Sequence, residues 1–388
     1  MSATQISARA LLERLVGFDT TSHKSNLALV EFVRAYLADH GVESTVLGDK
    51  TGEKAALYAT IGPNIEGGVV LSAHSDVVPT EGQPWTSDPY RLRQEGGRLY
   101  GRGSTDMKGF VATVLAAVPG FVAAGLKRPI HIALSYDEEV GCLGVRPLAR
   151  HMKTRIAMPQ AVIVGEPTSL KPVNAHKSAY RLESDVIGRS AHSSVPSWGV
   201  NAVYYAARLV AEIERLAERL AAMEVTDPRF KPPHPTASVG EITGGTAHNI
   251  VPDHCRVVWG IRGMPETDVP ALVDETQAFA DTQLASEMRK LDAACAIQTK
   301  IAASILPLKP RVRSNAETLI AELTGSAEMG AVSYGTDAGI FDDIGWPCVV
   351  CGPGDIAQAH KPDEFIAAEA LEECAAMLAR LGESLSAA

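Results

Sequence analysis

The 388-residue chain has no excess of basic charge: 36 lysines and arginines stand against 46 aspartates and glutamates, for a formal net charge of −10. Nucleic acid and anionic membrane both need a basic face, so neither is expected as the main partner. Cysteine is sparse. Cys142, Cys255, Cys295, Cys348, Cys351 and Cys374 are scattered rather than grouped into a disulfide framework, and imply reduced thiols. Cys348 and Cys351 do form a C-x-x-C, but Val349 and Val350 between them make the segment read as a buried strand rather than a redox or metal motif. No stretch reaches the roughly 20 apolar residues that span a bilayer. The most apolar one, Phe110 to Leu126, contains Thr113, Pro119 and Gly120 and reads as a buried helix kinked at the proline. No basic-then-apolar leader precedes the first amphipathic segment, where Leu11, Leu12, Leu15 and Val16 share a face, and the expected location is the cytoplasm. Internal repeats and low-complexity segments are also lacking.

What is present is an ordinary globular composition, 46% hydrophobic and 21% charged, in a chain long enough for two domains. Short apolar runs at Val69–Leu71, Ile130–Ser135 and Ala161–Val164 alternate with the helical patterns of Leu27–His40 and Met107–Leu126, which predicts an α/β fold with helices on both faces of a sheet. A second pattern starts near Ser178. Strand-like Tyr180–Ile187, a helix over Asn201–Met223, strands at Ala237–Thr243 and Cys255–Ile261, a helix over Val269–Leu291 and a strand at Cys295–Ile301 follow the ferredoxin-like order βαββαβ. The Pro-rich run Pro228–Pro235 falls inside this pattern as a loop. After Leu306 α/β character resumes, through a helix at Ala316–Leu323 and a strand at Cys348–Cys351. The expected organisation is a mixed-sheet catalytic domain, residues 1–177 and 304–388, with an inserted domain at 178–303.

Ligands of such sheets gather beyond the carboxyl ends of the strands, and the polar candidates sit there. His74 and Asp76 follow Val69–Leu71 two residues apart, so they point to one side, as a metal ligand and an orienting carboxylate would; a polar strand end would look the same. Asp137, Glu138 and Glu139 follow Ile130–Ser135, and Glu166 follows Ala161–Val164. Asp106, at the start of the helix from Met107 and after Gly101 and Gly103, suits either a helix cap or a ligand. His360 lies in Ala359-His360-Lys361-Pro362-Asp363-Glu364.

Taken together, His74-Ser75-Asp76, Gly103-Ser104-Thr105-Asp106-Met107-Lys108-Gly109, Asp137-Glu138-Glu139, Gly165-Glu166-Pro167-Thr168 and Ala359-His360 resemble the motifs of the M20 family of dinuclear zinc peptidases and deacylases. The resemblance covers nearly the whole chain, inserted domain included. It implies two Zn2+ ions, with Co2+ as a possible substitute: His74 and Glu166 on one, Glu139 and His360 on the other, Asp106 bridging. It also implies a cis Asp106–Met107 peptide, Asp76 as the residue orienting His74, and Glu138 as general base for a water activated between the cations. In Gly188-Arg189-Ser190-Ala191-His192-Ser193-Ser194, His192 matches the histidine that stabilises the oxyanion from the partner subunit, which implies a homodimer formed through the inserted domain. Asn249, in Gly244–Pro252, and Arg262, in Gly260-Ile261-Arg262, match substrate-side elements, the arginine suiting a carboxylate. Thr336, in Gly335–Gly339, belongs to a segment whose backbone could donate to substrate.

Within the family the wording of Ser135–Cys142, Glu166–Thr168 and Ala191–Ala202 is most similar to the branch that deacetylates N-acetylornithine in arginine biosynthesis. That implies a small N-acylated amino acid as substrate. The branch acting on succinyl-diaminopimelate is the close alternative, other acylamino-acid hydrolases come next, and a single-metal enzyme or a non-catalytic binding relative are further readings. Ser104-Thr105 and Pro119 depart from the family's usual wording without removing a ligand.

Overall fold

Runs of β-branched and aliphatic residues bounded by turns form the central sheet of the computed structural model, which describes residues 6–387. Its eight strands lie in the order Ser44–Gly48, Ala55–Ile61, Ile130–Ser135, Val69–His74, Ala161–Pro167, Cys348–Gly352, Val173–His176, Gly330–Val332. Val69–His74 runs parallel to both Ile130–Ser135 and Ala161–Pro167, and Cys348–Gly352 is parallel to the latter, while Ala55–Ile61 pairs antiparallel with Ile130–Ser135. The sheet is therefore mixed, and its central strands are buried along their whole length, as parallel strands covered on both faces must be.

The covering helices follow from their apolar faces. Ala8–Val16 is capped by Ser7, whose Oγ accepts from the Ala10 amide, and it buries Leu11, Leu12, Leu15 and Val16 against Lys108–Ala123. The latter helix is apolar nearly all round, carries Pro119 within it and also packs against Ala368–Ala387. Among the described residues no helix is long and apolar enough to cross a membrane. Cys348 and Cys351 are buried in the strand core, and all six cysteines are free thiols.

Cα proximity divides the chain into two units. One comprises the residues up to Ala175 with Leu308–Ala331 and Thr336–Ala388; the other is His176–Pro307 with Val332–Gly335. The second unit has its own four-stranded antiparallel sheet in the order Thr236–Gly244, His254–Arg262, Ala179–Ile187, Ala296–Ile305, with Ala202–Ala221 and Val269–Phe279 supplying the helices of a βαββαβ unit. Its core includes Leu182, Leu209, Ile213, Leu216 and Trp259, separate from that of the large sheet.

One close approach couples sheet packing to Glu166. A Cβ on Gly165 would stand 2.1 Å from the Phe110 ring of the helix Lys108–Ala123, so only glycine lets helix and strand meet there. Gly165→Ala is expected to destabilise the protein by about 1–3 kcal/mol through overpacking. Urea unfolding of the two proteins side by side checks this, and an unchanged midpoint would contradict it.

Candidate active site

Strand register does the first part of the assembly. His74 is paired with Ser135 and Ser72 with Val164, so Glu166, two residues past Val164, comes level with His74 on the same side of the sheet. Ser75 is locked to the neighbouring strand end, its amide and its Oγ both donating to the Ser135 carbonyl at 2.9 and 2.7 Å. Asp137 turns the chain past Ser135 with a left-handed φ of 55° and pairs with the Lys54 ammonium, which delivers Glu138 and Glu139 to the same crevice. Asp106 precedes the helix Lys108–Ala123 and is joined to Met107 by a cis peptide bond. His360 enters from the last quarter of the chain, also left-handed, at φ 64°.

The central observation concerns Asp106. Its Oδ1 lies 3.1 Å from His74 Nε2, and its Oδ2 lies 3.3 Å from His360 Nε2. One carboxylate thus addresses two imidazoles with two different oxygens. His74 Nε2 also stands 3.8 Å from Glu166 Oε1, and His360 Nε2 stands 3.1 Å from each oxygen of Glu139. Potential ligand atoms of His74, Glu138 and Glu166 lie within 4.8 Å of one another, as do those of His74, Asp106 and Glu139. All are buried or nearly so except His360, whose side chain is 53% exposed and marks the open side.

Asp76 does more than face His74. His74 Nδ1 lies 2.9 Å from the Asp76 carbonyl and 3.5 Å from its Oδ1, so the ring's far nitrogen is held mainly by backbone. The carboxylate accepts from the Glu138 amide (3.1 Å), the Glu139 amide (3.3 Å) and Ser22 Oγ (2.8 Å). It therefore holds the turn carrying both glutamates in place against His74.

Electrostatics makes the cluster costly as it stands. Burial pushes Glu166 and Glu138 well above the usual carboxylate range, with Asp106 adding to the effect on Glu166 and Glu166 to that on Glu138. Burial and the Asp106 charge raise Glu139 to about 7 against the opposing pull of His360. Burial also acts to raise Asp106, but its bonds to His360 and His74 outweigh this and hold it well below its ordinary value. Conversely, burial acts against the His74 imidazolium, yet Asp106 and Asp76 raise it well above its usual value, and hydrogen bonds that the His360 ring donates to Asp106 and Glu139 raise His360 to about 10. Glu166 Oε1 is buried with no hydrogen-bond partner. Orphaned acceptors, mutually repelling carboxylates and imidazoles aimed at them are the donor set that divalent cations satisfy, and the nitrogen and oxygen mixture suits zinc or cobalt. The residues present fit two cations.

Asp337, Cys142, Glu364 and Arg102, none of which has a role assigned from the sequence, also join the site. Asp337 and Cys142 form a buried cluster with Glu138, the Cys142 thiol lying 3.6 Å from Glu138 Oε1 and Asp337 accepting from Ser135 Oγ at 2.6 Å. Thr336, beside Asp337, is fully buried, and its hydroxyl accepts from the Ala338 amide to start the helix Ala338–Asp343. Glu364 and Arg102 form a fully buried ion pair at 2.7 Å directly behind Asp106. Glu364 stands in the same short stretch as His360, but an acid in a loop gives no sequence signal of being buried.

His192, Asn249 and Arg262 belong to the second unit. There His192 pairs across two short strands with Ile250, and the Ser193 amide donates to the Asn249 carbonyl at 3.0 Å, so the histidine and asparagine segments are neighbours. The Ser194 amide donates to His192 Nδ1 (3.1 Å), which leaves the ring proton on Nε2. Arg262 ends the strand His254–Arg262 with its side chain exposed.

Known proteins resemble this chain in sequence and in fold. The model of peptidase family M20/M25/M40 matches residues 70–384. An acetylornithine deacetylase of Myxococcus xanthus is 36% identical over 98% of both chains. Among solved structures, an M20 family metallo-carboxypeptidase from Sulfolobus solfataricus superposes with a TM-score of 0.75 at 16% identity, covering 99% of this chain and 100% of that one. A dinuclear metal-binding M20 peptidase from Bacillus subtilis gives 0.63 at 15% identity, covering 97% of each. With a family match over most of its length and a buried cluster of candidate metal ligands, the chain belongs to peptidase family M20/M25/M40 and is a metal-dependent amidohydrolase.

Proposed function

We propose that this protein is a two-zinc deacetylase of N-acetyl-L-ornithine, and that it acts as a homodimer through its second unit. The division of Asp106 between His74 and His360 carries the two-metal reading. The substrate reading is supported by the name of the Myxococcus xanthus relative at 36% identity. His74 and Glu166 would hold one cation, Glu139 and His360 the other, with Asp106 shared; cobalt would substitute for zinc. Bound there, the pair supplies positive charge that lowers the pKa of water and polarises the acyl carbonyl.

The chain's own residues supply the proton traffic. Glu138 is buried beside the ligands, and burial gives it a proton affinity well above that of an ordinary carboxylate. It accepts the proton of the attacking water and returns it to the leaving amine. Asp76 keeps that carboxylate in register by holding the Glu138 amide. His192 of the partner subunit would donate its Nε2 proton in a hydrogen bond to the carbonyl oxygen as charge develops. Arg262 would take the substrate carboxylate bidentately, with Asn249 and the segment at Thr336 adding polar contacts.

Amine release from a matched panel of N-acetyl-L-ornithine, N-succinyl-L,L-diaminopimelate and N-acetyl and N-formyl derivatives of other amino acids tests the substrate. Preference for acetylornithine is expected, and preference for the succinyl compound would overturn it. Glu138→Gln should lower kcat by roughly 10²–10⁴ while both metals stay bound; loss of metal would mean that Glu138 is a ligand. Mixing it with His192→Ala should recover part of the activity, and none would be recovered if each site were completed within one subunit. Metal binding should release protons, because His360 is raised to about 10 and Glu139 to about 7, so that both hold protons, Glu139 in part, at pH 7 without metal, and the upward shifts of His74 and Glu166 act in the same direction; all must lose them to coordinate. Apparent affinity should therefore rise with pH between 6 and 8, and calorimetry in buffers of different ionisation enthalpy measures it.

A further inference from the structure

Asp106 and His360 reach the site from distant parts of the chain, yet one continuous set of hydrogen bonds joins them. Glu364, 1% exposed, has both oxygens filled. Oε1 accepts from the amides of Thr105 (2.9 Å) and Asp106 (3.1 Å); Oε2 accepts from the Gly103 amide (3.0 Å) and from Arg102 Nη1 (2.7 Å). Three amides of one glycine-bearing turn, those of Gly103, Thr105 and Asp106, are thus drawn onto one carboxylate. Arg102, also 1% exposed, passes the constraint on: its Nη2 donates to Gln83 Oε1 at 2.6 Å, and its guanidinium carbon lies 5.1 Å from the centre of the Trp85 ring. Gln83 Nε2 then donates to the His360 carbonyl at 3.0 Å. Trp85 Nε1 holds the amide oxygen of Gln83 from the other side at 3.0 Å, so the amide cannot turn over without losing bonds.

The same two chain segments are stitched twice more. The Gly101 amide donates to the Glu364 carbonyl at 2.9 Å, and Asp363 Oδ1 accepts from the amide and hydroxyl of Thr86. His360 needs such support. It sits in a left-handed conformation on an exposed loop, a backbone that a residue other than glycine adopts at a cost. We propose that Glu364 acts through Arg102 and Gln83 as the positioning residue that fixes the bridging Asp106 against His360. It thereby sets the affinity for the cation shared by Asp106, Glu139 and His360.

The asymmetry of the network makes the proposal specific. His74 and Glu166 are carried on adjacent, fully buried strands, whose register already places them level with each other. His360 has no strand beneath it. Loosening the network should therefore weaken one cation much more than the other, whereas damage to the fold as a whole would weaken both.

The inference rests on the two-metal reading, and titration of metal-free protein with Co2+, followed by its visible absorption, separates the two. If the unaltered protein takes up a single equivalent, the two-metal reading fails and this inference with it. If it takes up two, Gln83→Ala should weaken one equivalent roughly 10–100-fold, the usual effect of removing a support behind a ligand, and leave the other unchanged. Glu364→Gln, which turns an acceptor into a donor facing N–H groups, should weaken the same equivalent at least as much. Should Glu364→Gln fail to fold, the partly exposed Gln83 decides alone. Two equivalents of unaltered affinity in Gln83→Ala, or an equal loss in both, would overturn the proposal.

Discussion

The structure depends on keeping Asp106, Glu138, Glu139 and Glu166 packed around two imidazoles in one buried crevice. Carboxylates so placed repel each other and lose hydration, and this is why burial drives Glu138 and Glu166 upward while the imidazoles climb with them. Such an arrangement persists only where the surrounding fold over-determines it and a counter-charge is supplied. The parallel strands, the Asp76 carboxylate and the Glu364–Arg102 pair are the parts of the fold that do so.

These supports work at different ranges. Register between neighbouring strands aligns His74 with Glu166 through backbone hydrogen bonds that no side-chain change can easily move. Asp76 acts one turn further on, accepting from the Glu138 and Glu139 amides, so its contribution falls on the pair of acids as much as on His74. Glu364 acts at the longest range, collecting amides of the Gly103–Asp106 turn from the far end of the chain. Gly165 serves the same end by omission, letting the helix that begins after Asp106 lie directly on the strand that carries Glu166.

Neighbouring acids in different surroundings are the result. Glu139 is turned toward His360, whereas Glu138 lies beside Cys142 and Asp337 in a pocket that favours its protonated form. The proposed division of roles, Glu138 as proton carrier and Glu139 as a ligand, draws on that difference in surroundings.

The amino-acid sequence by itself determined the strands, the helices with their apolar faces and the motif residues, because side-chain period and strand-end position are local properties. His74, Asp76, Glu138, Glu139 and Glu166 were legible as candidates for that reason, each standing just past an apolar run; Asp106 and His360 became candidates through the resemblance of the whole motif set to the family. The βαββαβ order of the second unit was legible in the same way. Only the tertiary structure decided which oxygen of Asp106 meets which histidine, and that the Asp76 carboxylate chiefly serves the Glu138 and Glu139 amides. It alone decided that Glu364, Arg102 and Asp337 are buried at the site rather than solvated in loops. Burial of a charged loop residue depends on which distant amide donors fold onto it, and a local pattern of residues does not carry that information.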